Sequence, residues 1–106
     1  MSIVSKTLVT LGCCKEGLAW AAQYDSFEEA YTKCEYACWI GFIAGRLDLE
    51  NALEVVKPFD TNNELRWRTP TSIYNVLANK DYLLDYIKMK CPFHRLMSSL
   101  FKELSQ

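Results

Sequence analysis

The sequence predicts an all-α fold, a compact bundle of six or seven short helices around a central apolar helix at about residues 37–47. Apolar residues recur at spacings of three and four almost throughout the chain, which is the period of an α-helix. No two-residue hairpin signal such as Asn-Gly occurs. With 106 residues, half of them apolar, the chain is long enough for one core, so we expect a single all-helical domain over residues 1–106.

Two short helices are predicted first. One covers about residues 11–24, where apolar residues form two adjoining stripes. The second begins at Ser26, since Ser26 with Glu29 fits a capping box. Asp25 with Glu28 fits the same box one residue earlier. The apolar face of this helix then follows at helical spacing: Phe27, Ala30, Tyr31 and Cys34.

The predicted central helix, at about 37–47, has almost no polar face, which only a buried helix tolerates. Ala37, Gly41 and Gly45 recur every four residues, so one side of this helix carries almost no side chain. Such a side allows another backbone to approach closely. We expect it to contact another helix or, in a homo-oligomer, another chain through a Gly41/Gly45 face.

Asp48 is the predicted N-cap of a fourth helix that ends near Pro58. Residues 60–71 are polar and form the predicted long loop of the chain. Three further helices are expected, beginning at Ser72, at Asn79 or Asp81, and at Phe93, the last of them running to Leu104.

Charge and cysteine content limit the compartment and the partners. The net charge of −1 divides into −4 for residues 1–60 and +3 for residues 61–106, so a partner of opposite charge is one interpretation. No signal peptide is visible, and the longest strongly apolar run, residues 37–45, is too short for a membrane span of about 20 residues. Five cysteines without a secretory signal indicate free thiols in a cytoplasmic protein.

A pattern of short motifs covers residues 14–48. Cys-x-Glu-Gly-Leu-x-Trp begins at Cys14, and Glu-Glu-Ala, Cys-Glu, a Trp and Gly-Arg-Leu follow in order. The pattern resembles a largely uncharacterised family of small all-helical proteins of phages and bacteria, some of them immunity-protein-like. The chain departs from it at Ala37 and Cys38, where the family pattern has a Pro-Asp-like break. The resemblance implies a helical fold and a phage or mobile-element origin, and it implies no reaction.

The sequence contains no recognisable catalytic motif, so we expect a protein that is not an enzyme and that has no cofactor. His94 is the sole histidine, and no Gly-rich phosphate loop, Ser-centred elbow or HExxH motif is present. A structural zinc domain is an alternative, because thiolates and an imidazole suit zinc. Its ligands would be Cys34, Cys38, Cys91 and His94, although cysteines are more often core residues.

The triplet Arg66–Trp67–Arg68 places a large aromatic residue in the polar loop. Exposed Trp and Arg are typical of binding hot spots, so we expect a protein-interaction module. The resemblance implies that it binds, and inhibits, a host or defence protein. In a second alternative the region Arg66–Lys90 binds nucleic acid, although the sequence pI of 5.8 disfavours this. In a third, Trp67 packs onto the core. An acidic face is a further predicted partner surface: Asp25, Glu28, Glu29 and Glu35.

Overall fold

The computed structural model describes residue 12 and residues 15–104, with the backbone alone for 99–104. In this part of the chain all regular structure is helical, and no strand occurs. The predicted all-α fold is therefore confirmed. Two compact units can be distinguished, one within residues 1–34 and one within residues 35–106. The expected single domain stays a prediction.

The first unit contains helices α1 (Lys15–Ala21) and α2 (Phe27–Lys33). The predicted cap of α2 is confirmed, since Ser26 Oγ accepts the N–H of Glu29 at 3.0 Å. Helix α1 is shorter than the predicted 11–24 helix and ends at Ala21, where the side chain of Gln23 donates to the carbonyl of Trp20 at 2.9 Å. The predicted start at residue 11 lies outside the described residues.

The second unit contains five α-helices and three 3-10 turns among its described residues. The α-helices are α3 (Ala37–Leu47), α4 (Leu49–Val56), α5 (Pro70–Leu77), α6 (Leu84–Lys90) and α7 (Phe93–Leu104). The 3-10 turns are Lys57–Phe59, Glu64–Trp67 and Asp81–Leu83. Helix α3 contacts all four other helices of this unit, which confirms the predicted central helix and its bounds.

The side of α3 with no side chains is covered within the chain. A Cβ on Gly41 would overlap Leu77 Cδ1 and lie 3.0 Å from Ile73 Cγ2, and a Cβ on Gly45 would lie 2.7 Å from Ile73 Cδ1. Gly45 also approaches the backbone of Pro70, whose Cα would be 3.2 Å from that Cβ. Helix α5 therefore occupies the Gly41/Gly45 face. The prediction of a homo-oligomer through this face is corrected, because α5 already covers the face.

Helix α5 and the start of α4 differ from the predicted caps. Thr69 and Ser72 form a reciprocal capping box, with both N–H to Oγ distances at 3.1 Å, so α5 begins at Pro70 rather than at Ser72. Asp48 makes no side-chain cap at α4. Its carboxylate instead forms an ion pair with Nε of Arg95 at the start of α7.

The core of the second unit lies around α3, against which α4, α5, α6 and α7 pack. Its largest fully buried side chains are Val56, Ile73, Leu77, Ile87, Cys91 and Leu96. None of the helices in the described part of the chain combines the length with the apolar character that crossing a bilayer requires.

Candidate functional site

The predicted long loop contains the 3-10 turn Glu64–Trp67, which sequence reasoning missed. Asp60 begins it: Oδ1 accepts the N–H of Glu64 and Oδ2 the N–H of Leu65, each at 2.9 Å. The local signal for this turn in the sequence is the carboxylate of Asp60, which lies four and five residues before the two N–H groups that it accepts. It acts as a helix N-cap does, and it satisfies donors that a turn of this length leaves unpaired.

The same hydrogen bonds change the acidity of Asp60. Desolvation by itself would raise the pKa of this carboxyl, but the N–H groups of Leu65, Glu64 and Asn62 and the charge of Arg66 outweigh it. The pKa therefore lies below its ordinary value, and the carboxylate form persists under mildly acidic conditions.

Two residues with a left-handed backbone bracket this turn, Asn63 at φ 55° and Arg68 at φ 50°. Asparagine tolerates this region, whereas arginine adopts it only at a cost in free energy. Strain of this kind persists where neighbouring contacts hold it, and it is frequent at functional sites. The backbone at Arg68 is thus held in an unfavourable state beside Trp67.

Trp67 projects from the turn into solvent, with 63% of its surface exposed. The guanidinium of Arg66 lies over its ring, 5.0 Å from the centroid, and Arg66 Nη1 also donates to the carbonyl of Asn63 at 2.7 Å. One face of the indole is therefore covered by Arg66, while most of the ring stays accessible. The alternative in which Trp67 packs onto the core is wrong.

Arg68 is bound to helix α4. Its Nη2 lies 2.6 Å from Oε1 and 2.7 Å from Oε2 of Glu50. Both side chains are largely exposed, 58% for Arg68 and 78% for Glu50. The charge of Arg68 is therefore balanced by a carboxylate of the same unit. The structure thus brings the triplet Arg66–Trp67–Arg68 together as one exposed surface, which we call the RWR turn.

A shallow, open depression lies beside the RWR turn. Its lining is mostly polar and includes the carboxylate-bearing residues Asp60 and Glu64 and the ammonium of Lys80. The remaining lining residues come from the segment before the turn and from α5: Phe59, Thr61, Asn62, Asn75 and Val76. The depression therefore carries charges of both signs, and it reaches the 3-10 turn at Glu64 rather than at the residues of the RWR turn.

The predicted acidic residues lie on and beside α2. Asp25 and Glu28 are exposed at its N-terminal end, and Glu29 is half-buried there, with Lys33 Nζ 3.9 Å from its Oε1. Glu35 is exposed in the segment between α2 and α3. Carboxylates in the first turn interact favourably with the helix dipole. This role accounts for Glu28 and Glu29 without invoking a partner protein.

The proposed zinc ligands do not form a cluster. No group of three or more His, Cys, Asp or Glu side chains that could hold a metal ion occurs among residues 15–98. Cys34 and Cys91 are buried, Cys38 is half-buried, and His94 is exposed.

The cysteine thiols for which the structure indicates a shift are poor nucleophiles. Burial raises the pKa of Cys91 to about 11, and the nearby Asp48 carboxylate adds to this effect. Burial also raises the pKa of Cys38. Because the thiolate is the reactive form, both thiols are mostly protonated at neutral pH, which lowers their reactivity.

Several basic residues in the region Arg66–Lys90 and just beyond it already have partners. Arg95 pairs with Asp48, and Lys90 lies 5.8 Å from the ring centroid of Tyr86. Lys80 lines the mixed depression described above. These residues do not present an uninterrupted basic surface.

Three other large apolar side chains are exposed among the residues whose side chains are described, and sequence reasoning did not single them out: Tyr36 at 43%, Tyr82 at 77% and Met89 at 64%. Tyr82 lies in the 3-10 turn before α6, and Met89 lies seven residues later, near the C-terminal end of α6. Their helical spacing is visible in the sequence, but it looks like that of core residues until the packing is known.

The fold and this surface together describe a small all-helical protein that displays an ordered Arg–Trp–Arg turn. No protein family model, curated protein or solved structure matches this chain. The resemblance to small phage and bacterial proteins therefore stays a prediction.

Proposed function

We propose that this chain is a cytoplasmic protein-interaction module that binds a partner protein through the RWR turn. The observation that carries the proposal is the 63% exposure of Trp67. The side chains on either side of it, Arg66 and Arg68, both have hydrogen-bond partners within the chain. Tryptophan and arginine are the residues most enriched among binding hot spots. An indole that lies mostly in solvent contributes little to the core of its own chain.

The charge around the turn favours a protein over nucleic acid. Arg68 is balanced by Glu50, and Arg66 is near Asp60 and stacks on Trp67. A single-strand binding surface instead combines stacking aromatics with a continuous positive groove. A protein surface accommodates the mixed charges found here, with the indole as its apolar anchor.

The resemblance of residues 14–48 to phage and bacterial proteins supports a more specific form of the proposal. In this form the chain is encoded by a phage or mobile element and binds, and inhibits, a host or defence protein. The proposal assigns it no catalytic reaction, since the thiols with shifted pKa values are protonated at neutral pH and no catalytic motif was found.

The test is affinity capture from the lysate of the native host, with the full chain and its variants as bait. The binding variant carries Arg66→Ala, Trp67→Ala and Arg68→Ala. The matched control is Tyr82→Ala, which removes an aromatic side chain that is even more exposed, at 77%, outside the turn. Circular dichroism of each bait checks that the helical signal is intact.

We expect proteins that are retained by the unchanged chain and by Tyr82→Ala but lost with the triple variant. The loss should be about 30-fold or more in affinity, as for a hot-spot aromatic. Retention of the same proteins by a folded triple variant would contradict the proposal. Capture of nucleic acid that falls steeply with salt would favour the nucleic-acid alternative instead.

A further inference from the structure

The end of the RWR turn is held by a residue that lies 18 positions earlier in the chain. Glu50 on α4 contacts Nη2 of Arg68 with both carboxylate oxygens. Because both side chains are largely exposed, such a pair contributes little to the free energy of unfolding. Stability therefore gives little reason for a two-oxygen contact at this place.

The backbone at Arg68 suggests another role for the contact. With φ at 50°, Arg68 occupies the left-handed region that glycine would adopt without strain. Trp67 directly precedes Arg68, so a change in the backbone at Arg68 would move the turn that carries the indole relative to helix α5. An anchor that is already ordered loses less conformational entropy on binding, which raises affinity without any new contact.

We infer that Glu50 is a positioning residue for Trp67, whose ion pair with Arg68 holds the end of the turn in the left-handed conformation that orients the indole toward a partner. The inference rests on the function proposed above. Glu50 itself need not touch the partner.

The first test measures the free protein by NMR relaxation of the Trp67 indole N–H, using the full chain. Glu50→Ala is compared with Glu54→Ala, which removes the same charge from the same helix. Glu54 acts on Arg68 through its charge alone, whereas Glu50 also accepts its hydrogen bond. We expect the same indole order parameter in the unchanged chain and in Glu54→Ala, and a clearly lower one in Glu50→Ala. An unchanged order parameter in Glu50→Ala overturns the inference.

The second variant, Arg68→Gly, separates positioning from stability. Glycine relieves the strain at this position and removes the ion pair at the same time. We expect an unchanged or higher melting temperature and a mobile indole. The affinity is measured on Glu50→Ala instead, because it leaves the RWR turn intact, and this variant should bind the captured partner about three- to tenfold more weakly. A merely structural pair predicts a lower melting temperature with an unchanged indole order parameter, which would overturn the inference.

The two proposals fail in different ways. If Glu50→Ala frees the indole but capture is insensitive to Trp67→Ala, the proposed function is wrong and the positioning of Trp67 by Glu50 stands. If capture depends on Trp67 while Glu50→Ala leaves both the indole and the affinity unchanged, the proposed function stands and the positioning role is wrong.

Discussion

The carboxylate of Asp81 caps the N-terminus of helix α3 from 44 residues away, since its Oδ1 accepts the N–H of Ala37 at 3.0 Å. The side chain at the N-cap position itself, Tyr36, does not cap the helix. The central helix thus begins under a cap that belongs to the segment leading into α6. This contact therefore joins the start of α3 to the 3-10 turn before α6.

Asp81→Ala should lower the free energy of unfolding by about 1 kcal/mol, the usual cost of losing a helix N-cap. Asp81→Asn is the matched control, because it keeps an acceptor oxygen at the same position and should lose less. Urea unfolding followed by circular dichroism measures both. Equal losses for the two variants would indicate that charge, and not the hydrogen bond, is what Asp81 contributes.

The contact of Gly41 with α5 predicts sensitivity to any added side chain. Gly41→Leu should unfold the protein, and Gly41→Ala should destabilise it by about 1–3 kcal/mol, because the new Cβ would overlap Leu77 Cδ1. A double-mutant cycle with Leu77→Ala checks the cause. The combined loss should be smaller than the sum of the single losses if overlap is the reason. A fully folded Gly41→Leu variant would contradict this packing.

Asp60 predicts a specific loss of stability in acid. Its folded-state pKa is depressed, so its contribution is present above the unfolded-state pKa of about 3.9 and disappears as the pH falls through the folded-state value. Asp60→Asn does not titrate, so its stability should depend less on pH below about 4. Melting temperatures of both proteins over an acidic pH series provide the measurement. Parallel curves would show that the hydrogen bonds to Glu64 and Leu65 do not favour the carboxylate.

The thiol of Cys91 should resist alkylation at neutral pH, since its pKa is about 11 and its side chain is 1% exposed. Cys38, which is half-buried, should react faster in the native state. Mass spectrometry after timed iodoacetamide treatment, with Cys91→Ser as the reference for assignment, follows each site. Rapid labelling of Cys91 at pH 7 in the folded protein would contradict the burial described here.

Metal removal tests the zinc alternative directly. Purified, reduced protein should contain no stoichiometric zinc, and a chelator should leave its melting temperature unchanged, because a structural metal would couple folding to metal binding. Elemental analysis and thermal melts with and without chelator decide this. One zinc per chain would restore the set Cys34, Cys38, Cys91 and His94 as ligands.

Local patterns in the sequence determined the helical class and several boundaries. The apolar run at 37–47, the Ser26 cap and the start of the last helix at Phe93 all follow from interactions within one or two turns of helix. The small side of α3 could also be predicted, because Gly41 and Gly45 share a face at a spacing of four. The exposed Trp67 remained one of several alternatives, since the residues around it suit a solvent-exposed turn and a core plug equally well.

Only the tertiary structure decided which distant residues meet. The pairs Asp81 with Ala37, Glu50 with Arg68 and Asp48 with Arg95 depend on how helices are placed beside one another, and no local pattern specifies that placement. Packing also decided that α5, and not a second chain, covers Gly41 and Gly45. A sequence pattern reports which face of a helix is apolar or small, whereas the contact it makes is set by the total burial that all helices achieve together.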